Sequence, residues 1–292
     1  MKPPAFEYYC PDTIDEALAL LARHGGDAKP LAGGQSLIPA MNFRLAAPAV
    51  LVDLNTVPDL GYIAEDGGAL RIGGMARHRA IERSVAVARE APLLAQAIRF
   101  VAHPAIRTRG TMGGSLAHAD PAAELPAVML ALDAQLTVRG AGGARTIPAS
   151  SFFTGLFSTT LRPGELLTEI VVPARRERTA YAFDEISRRH GDFALAGAAA
   201  AVSVDESGRC SSARVALLGV GDRPMLAEQA ARQLTGERPS AAAIRGAAEA
   251  SAAQDIDPSS DIHASSEYRR RLAAVLIRRV LLRAFTTLSE AA

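Results

Sequence analysis

The 292-residue sequence has no tryptophan, two cysteines, and only two lysines among its 32 basic residues. Each scarcity excludes something. Cys10 and Cys210 stand near opposite ends of the chain, so they cannot supply the clustered thiolates of an iron–sulfur or structural zinc centre, and a disulfide is not expected. The histidines (His24, His78, His103, His118, His190 and His263) are scattered without His-x-His or His-Glu-x-x-His spacing, so a metal site is not expected either. No apolar run approaches the roughly 18 residues of a membrane span. The stretch Met1 to Glu7 has neither an apolar core nor a cleavage site, so no secretory signal is expected and a cytoplasmic location follows. With 32 basic and 31 acidic residues, the chain has no basic face to release counterions from a nucleic acid. A hydrophobic content of 49% excludes disorder, and the length predicts two or three domains. The dominance of arginine over lysine is read as genome composition.

The pattern along the chain is mixed helix and strand. Thr13 and Glu16 have capping-box spacing ahead of Ala17, Leu18, Leu20 and Leu21, and Gly25-Gly26 stops that helix. Lys29 to Ala32 reads as a short strand, Ser36 to Leu45 as a turn or two of helix, and Val50 to Leu54 as a buried strand: a small β-α-β unit. From Pro58 onward the pattern predicts a strand at 69–74, helices near 77–88 and 91–102, a helix starting at Pro121, and strands at 134–139 and 166–172. The Pro-led, Arg-rich stretch 173–178 reads as a linker. Beyond it, strands are expected at 181–186, 194–204 and 213–218, with Gly208 in a hairpin, then helices at 226–234, 240–253 and 265–288. In the last helix Tyr268, Leu272, Val275, Leu276, Val280, Leu281 and Leu288 form an apolar stripe. Arg269, Arg270, Arg271, Arg278, Arg279 and Arg283 are then assigned to a solvated face. The C-terminal third is thus an α+β layer pair, an antiparallel sheet with helices on one side.

Two glycine loops carry the chemical information. In Pro30-Leu31-Ala32-Gly33-Gly34-Gln35-Ser36-Leu37 a strand ends in two glycines before a helix opens. Such a segment is either a tight turn or a concavity of main-chain N–H groups sized for a phosphate. In Gly110-Thr111-Met112-Gly113-Gly114-Ser115 a second run of small residues precedes Asp120-Pro121, read as the cap and first residue of a helix holding Glu124. Neither loop has the Gly-Lys-Ser/Thr ending of a P-loop or the Rossmann spacing, so together they point to a large dinucleotide held in another manner.

These two motifs resemble the FAD-binding medium subunit of molybdenum hydroxylases, the aerobic carbon monoxide dehydrogenase and xanthine dehydrogenase family. The resemblance continues through Thr160-Leu161-Arg162-Pro163-Gly164-Glu165-Leu166-Leu167, Ser187 to Leu195 and Ser265 to Ala273, covering nearly the whole chain in order. It implies an α+β fold of the PCMH/vanillyl-alcohol-oxidase type. FAD-binding subdomains at 1–57 and 58–176 would be followed by a C-terminal domain at 177–292. It further implies that Ala32, Gly33, Gly34, Gln35 and Ser36 hold the FAD pyrophosphate, flanked by Pro30, Leu31 and Leu37. Gly110, Thr111, Gly113, Gly114, Ser115 and Ala117 would serve the ribityl–phosphate region, with hydroxyls of Thr111 and Ser115 as donors, and Ala102 and Ile106 as small wall residues. Glu124 would accept from ribityl or ribose hydroxyls or act only as a helix-dipole partner; Asp120 is a cap or a second acceptor. His118 reads as a solvated loop residue. Leu161 and Leu167 would pack on the ring ends, as core residues or cofactor contacts. Phe193 reads as a buried aromatic or a gate beside the ring. Asp184 stands where xanthine-oxidising members carry a lysine, which reverses the local charge. Arg188 and Arg189 read as surface ion pairs or as residues facing the flavin or a partner surface.

No side chain is assigned as acid or base. The resemblance implies electron transfer: a large molybdopterin subunit hydroxylates the substrate, a small subunit carries [2Fe–2S] clusters, and the FAD here delivers electrons to NAD, quinone, cytochrome or oxygen, in a heterotrimer or a dimer of heterotrimers. Two other readings stay open at this point, a self-contained FAD oxidase or dehydrogenase and a scaffold that has lost its cofactor.

Overall fold

The computed structural model describes residues 2–290. The chain begins with strand β1 (Glu7–Tyr9), helix α1 (Ile14–His24), β2 (Ala28–Leu31), α2 (Leu37–Asn42) and β3 (Val50–Asp53). The strands form a parallel sheet in the order β1-β3-β2. β3 is buried throughout, whereas β2 exposes Lys29 and Pro30 at the sheet edge, where a proline costs no ladder bond. The Thr13 hydroxyl caps α1 by accepting the Glu16 N–H at 3.2 Å. The return arm of the expected box is displaced by one residue: Glu16 accepts from the Asp12 N–H.

A second unit holds β4 (Ile63–Asp66), β5 (Ala69–Gly73), the helices α3 (His78–Arg83), α4 (Val85–Glu90), α5 (Pro92–Ala97), α6 (Pro104–Arg107), α7 (Met112–His118) and α8 (Glu124–Ala131), then β6 (Gln135–Gly140), β7 (Gly143–Pro148), α9 (Ala149–Phe152), β8 (Phe153–Gly155), β9 (Ser158–Thr159) and β10 (Leu166–Val172). Its antiparallel sheet runs β4-β5-β10-β6-β7, with β8 and β9 as a separate hairpin. The single helix expected at 77–88 is two short helices, because Ser84 leaves the helical region to cap α4 through its hydroxyl. α8 is apolar on every side and buried along its length, the signature of a helix enclosed by other elements.

The segment 173–178 contains neither helix nor strand. After it come β11 (Thr179–Ser187), β12 (Ala194–Val204), β13 (Cys210–Leu218), β14 (Met225–Leu226), α10 (Glu228–Leu234), α11 (Ala241–Gln254) and α12 (Ser266–Glu290). The four strands form an antiparallel meander in sequence order, with Gly208 at φ +78° in the hairpin. α10–α12 cover one face. The opposite face is also covered: Phe183, Ala199, Ala216 and Leu218 join the core built around α5 and α8. Covering on both faces explains why the central strand β12 is rich in alanine and largely buried: small side chains let a helical layer approach from each side.

The last helix corrects its expected faces. The buried stripe is Arg269, Leu272, Ala273, Leu276, Ile277, Val280, Leu281, Ala284 and Phe285, while Tyr268 is exposed. Arg269, expected in solvent, donates to the carbonyls of Leu195 (2.5 Å) and Gly219 (3.1 Å) and pairs with Asp261 at 2.7 Å. Its charge is compensated by that carboxylate and its fork satisfies two strand-end carbonyls, which makes burial affordable. No helix among the described residues is long and apolar enough to cross a membrane.

Candidate functional site: a cleft between two glycine loops

β2 and β3 end side by side, and the first glycine loop leaves from that edge. Leu31, Ala32, Gly33, Gly34 and Gln35 line a cleft of about 310 Å³ together with Ile38, Pro39 and Asn42 of α2, Asp53, Asn55 and Arg109. Gly34 has φ +71°, a conformation that a side chain disfavours. The N–H groups of Gly33, Gly34, Gln35 and Ser36 donate to no group among the described residues. The carbonyls of the loop, by contrast, are engaged. Gln35 Nε2 donates to Gly33 O at 3.1 Å, Asn55 Nδ2 to Ala32 O at 3.0 Å, and the Ile38 N–H to Gly34 O at 3.1 Å. The loop therefore leaves its donors unpaired and occupies its acceptors, which is the polarity an anion requires.

The second loop has the opposite arrangement. Gly113 and Gly114 lie inside α7 rather than ahead of a helix, and of the six N–H groups from Gly110 to Ser115 all but that of Thr111 are used: Gly110 N–H to Ile106 O (2.8 Å), Met112 N–H to Ala76 O (2.9 Å), Gly113 N–H to Gly74 O (2.8 Å), Gly114 N–H to Thr111 Oγ1 (3.1 Å) and Ser115 N–H to Thr111 O (3.1 Å). Thr111 is 2% exposed and acts as the cap of α7. Glycine is needed here for close approach. A Cβ at Gly113 would lie 2.7 Å from Gly74 O, and one at Gly110 would lie 2.8 Å from His78 Nδ1. The two loops touch: a Cβ at Gly33 would fall 2.3 Å from Arg109 O, and one at Gly114 would fall 3.5 Å from Ala32 Cβ.

A polar lattice binds this junction. Arg77 donates to Arg109 O at 2.7 Å and also to Asn55 Oδ1, tying the second loop to the end of β3. Asp53 accepts from Tyr8 OH (2.5 Å), the Asn55 N–H (2.9 Å) and Asn55 Nδ2, so its carboxylate is saturated from within. Burial, and then the neighbouring Arg109 guanidinium, lower the Arg77 pKa. His78 is buried and its Nε2 lies 2.9 Å from Thr111 O; a carbonyl partner makes that nitrogen the donor, and Nδ1 is left without a partner. Burial lowers the His78 pKa to about 4, so the ring is neutral.

Below the second loop, Asp120 is not a helix cap. Its Oδ1 accepts the Ala122 N–H at 2.9 Å in a turn, and α8 starts at Glu124 with Ala123 preceding it. The difference arises because Ala119 takes the left-handed conformation (φ +52°) that ends α7, and the chain needs residues 120–123 to reverse direction. Glu124 is buried at 7% exposure, and burial is the main cause that raises its pKa to about 7, with Asp120 adding to it. Ala117 is exposed, Ala102 and Ile106 are half-buried, and Leu161 and Leu167 belong to or pack on the central core. Pro30, Ser36 and Leu37 flank the cleft without lining it.

Asp184 and its neighbour Glu185 lie on opposite faces of β11. Asp184 faces the helical layer, where Arg283 (3.5 Å) and Arg279 (3.8 Å) approach it. Glu185, on the alternate face, points toward α8. Its Oε2 is buried without a partner, and burial and then Glu124 raise its pKa to about 8. Gly197, opposite Glu185, leaves the space for it: a Cβ there would sit 3.0 Å from Glu185 Cβ. Phe193, expected as a buried aromatic or a gate, is 65% exposed. Arg188 does pair with Asp192, at 3.6 Å on the surface. Asn55, Arg77, His78, Ile38, Pro39 and Asn42 escaped sequence reasoning; the one available signal was the polar Asp53-x-Asn55 step ending an apolar strand.

Residues 4–175 match the family described as the FAD binding domain in molybdopterin dehydrogenase, and residues 181–284 match the CO dehydrogenase flavoprotein C-terminal domain. The chain belongs to the FAD-binding medium subunits of the molybdenum hydroxylases. It is 44% identical to the 6-hydroxypseudooxynicotine dehydrogenase complex subunit alpha of Paenarthrobacter nicotinovorans over 284 residues, covering 97% of this chain and 96% of that one. It is 38% identical to the carbon monoxide dehydrogenase medium chain of Hydrogenophaga pseudoflava over 282 residues, covering 96% and 97%. A solved carbon monoxide dehydrogenase from that organism, lacking the Mo-pyranopterin moiety of its cofactor, superposes with a TM-score of 0.95 at 38% identity, covering 98% of this chain and 99% of that one. FAD is accordingly the cofactor of this subunit, and the subunit is a component of an oxidoreductase. The residues present fit it. The free N–H groups of the first loop offer donors to a pyrophosphate, and Arg109 is among the residues lining the same cleft.

Proposed function

We propose that this subunit takes electrons from the [2Fe–2S] clusters of a small partner and passes them to an external acceptor, within a heterotrimer completed by a large molybdopterin subunit. FAD supplies one- and two-electron redox chemistry when bound. The observation that carries the reading is the run of unpaired N–H groups at Gly33, Gly34 and Gln35, residues that line the cleft. On this reading the backbone of Ala32–Ser36 holds the pyrophosphate, with Arg109 as counter-charge. The second loop supplies a rigid wall, and Ala102 and Ile106 stand as small wall residues. Glu124 is the buried acceptor for sugar or ribityl hydroxyls. The first two units, 1–57 and 58–176, form the binding body and 177–292 closes over it. Cys10, just past β1, is exposed and Cys210 is buried at the start of β13, so two thiols placed apart cannot ligate a cluster; two free cysteines also suit a reducing cytoplasm.

The test uses the purified chain. It should take up one FAD, and the flavin absorbance should bleach on adding an organic substrate only when both partner subunits are present. Bleaching by the chain alone would favour the self-contained enzyme. A chain that takes up no FAD would refute the reading altogether.

A further inference from the structure

We propose that Arg107 is a positioning residue for the flavin site, acting as a buried strut that sets the turn Val101–Ala102–His103. The inference rests on the reading that FAD lies against Ala102. Arg107 is only 5% exposed. One face of its guanidinium is neutralised by Glu82, which accepts from Nε at 3.2 Å and from Nη2 at 3.1 Å. Its Nη1 donates to two successive carbonyls, Val101 O at 2.9 Å and Ala102 O at 3.0 Å. Between those carbonyls Ala102 sits at φ +45°, a left-handed conformation that disfavours any side chain and persists only where its surroundings enforce it. Two charge-assisted bonds to adjacent carbonyls are such an enforcement.

The turn has a second contact. His103, immediately after Ala102, lies where a side chain at residue 191 would be: a Cβ on Gly191 would come within 2.5–2.9 Å of the imidazole atoms. Gly191 itself has φ +88°, and the rings of His103 and His190 meet edge-on at 6.3 Å. The strut therefore runs from Glu82 through Arg107 to the turn, and from the turn to the loop between β11 and β12. It fixes how far the Ala102 wall stands from the C-terminal sheet, and hence the width available to a flat ring placed between them.

Arg107→Lys is the informative change, because an ammonium keeps the pair with Glu82 but cannot bridge two carbonyls and a carboxylate at once. In the full chain titrated with FAD, R107K should weaken binding about tenfold, equivalent to about 1.4 kcal/mol. It should also alter the visible circular dichroism of the bound flavin. Adding Ala102→Gly to R107K should restore both, since glycine takes the left-handed turn unaided. A variant that only loses thermal stability while its FAD affinity and dichroism match the wild type would overturn the proposal, as would a failure of A102G to rescue. The underlying placement is tested separately in the wild type. FAD should protect the exposed His103 from diethyl pyrocarbonate. Unprotected His103 means that FAD does not lie against the turn, whereas protection together with an unaffected R107K means that Arg107 does not set it.

Discussion

The two glycine loops look alike in sequence and do different work. Gly33-Gly34 sits at the end of a strand with its donors free and its carbonyls occupied, so the loop has the polarity an anion requires. Gly113-Gly114 sits inside a short helix with its donors consumed by Gly74 O and Thr111 Oγ1, and the space beside it is filled by the Gly74 backbone at Gly113 and by the Thr111 side chain at Gly114. The same residue type thus leaves donors unpaired in one place and permits close packing in the other. What separates the cases is whether an acceptor lies within reach of the N–H groups.

The comparison predicts that damage to the second loop is damage to the fold. Gly113→Val should destabilise the FAD-free chain by about 3 kcal/mol or more, because the added carbon atoms meet the Gly74 backbone, which cannot move away as a flexible side chain could. Chemical denaturation without cofactor measures this; an unchanged midpoint would place Gly113 beside a ligand instead.

Next in size are two opposed pH effects around the same loop. The folded-state pKa of His78 is depressed to about 4 from 6.5, so the unfolded chain binds the extra proton first and stability should fall as pH drops from about 6.5 toward 4. Glu124 is raised to about 7 from 4.5, so its protonated form favours the fold and stability should fall as pH climbs from about 4.5 to 7. His78→Gln and Glu124→Gln should each flatten one limb of the profile, by roughly 2 kcal/mol. With FAD present, E124Q should weaken binding chiefly above pH 7, where the wild-type carboxylate is ionised and the stronger acceptor.

Damage to the first loop should show mainly in binding. Gly34→Ala forces a Cβ into φ +71° beside Ile38, and the loop is expected to relax away from the shape that leaves its donors unpaired. FAD affinity should fall about tenfold while stability drops by about 1 kcal/mol or less. Gly33 is the intermediate case, since its substituent would strike Arg109 O in the other loop and cost both. Arg271→Ala, which removes an exposed ion pair with Glu267, should change neither by more than about 0.5 kcal/mol.

Much of this was legible beforehand, and the failures share a cause. The capping signal of α1, strand β10 and the three-strand succession of the C-terminal sheet are local patterns, and they appear where expected. The glycine loops were visible as well. Hidden were features decided by contacts distant in sequence. Gly113-Gly114 is a poor helix former, yet α7 forms because Gly74 and Ala76 accept its first donors. The short edge strands β4 and β7 have no buried alternation of their own and form by pairing with β5 and β6. Asp184 and Glu185 are adjacent acids, and in a strand only the partner layers decide which of the two faces the site. Arg269 and Arg107 look like surface arginines until the carbonyls and carboxylates that enclose them are in place.

The division of labour between the loops can be read by amide hydrogen exchange with and without FAD. The account predicts fast exchange at Gly33–Ser36 in the FAD-free chain, slowed on binding, and slow exchange at Gly110 and at Met112–Ser115 in both states. Equal protection of both segments before FAD is added, or no change at Gly33–Ser36 after it, would contradict the account.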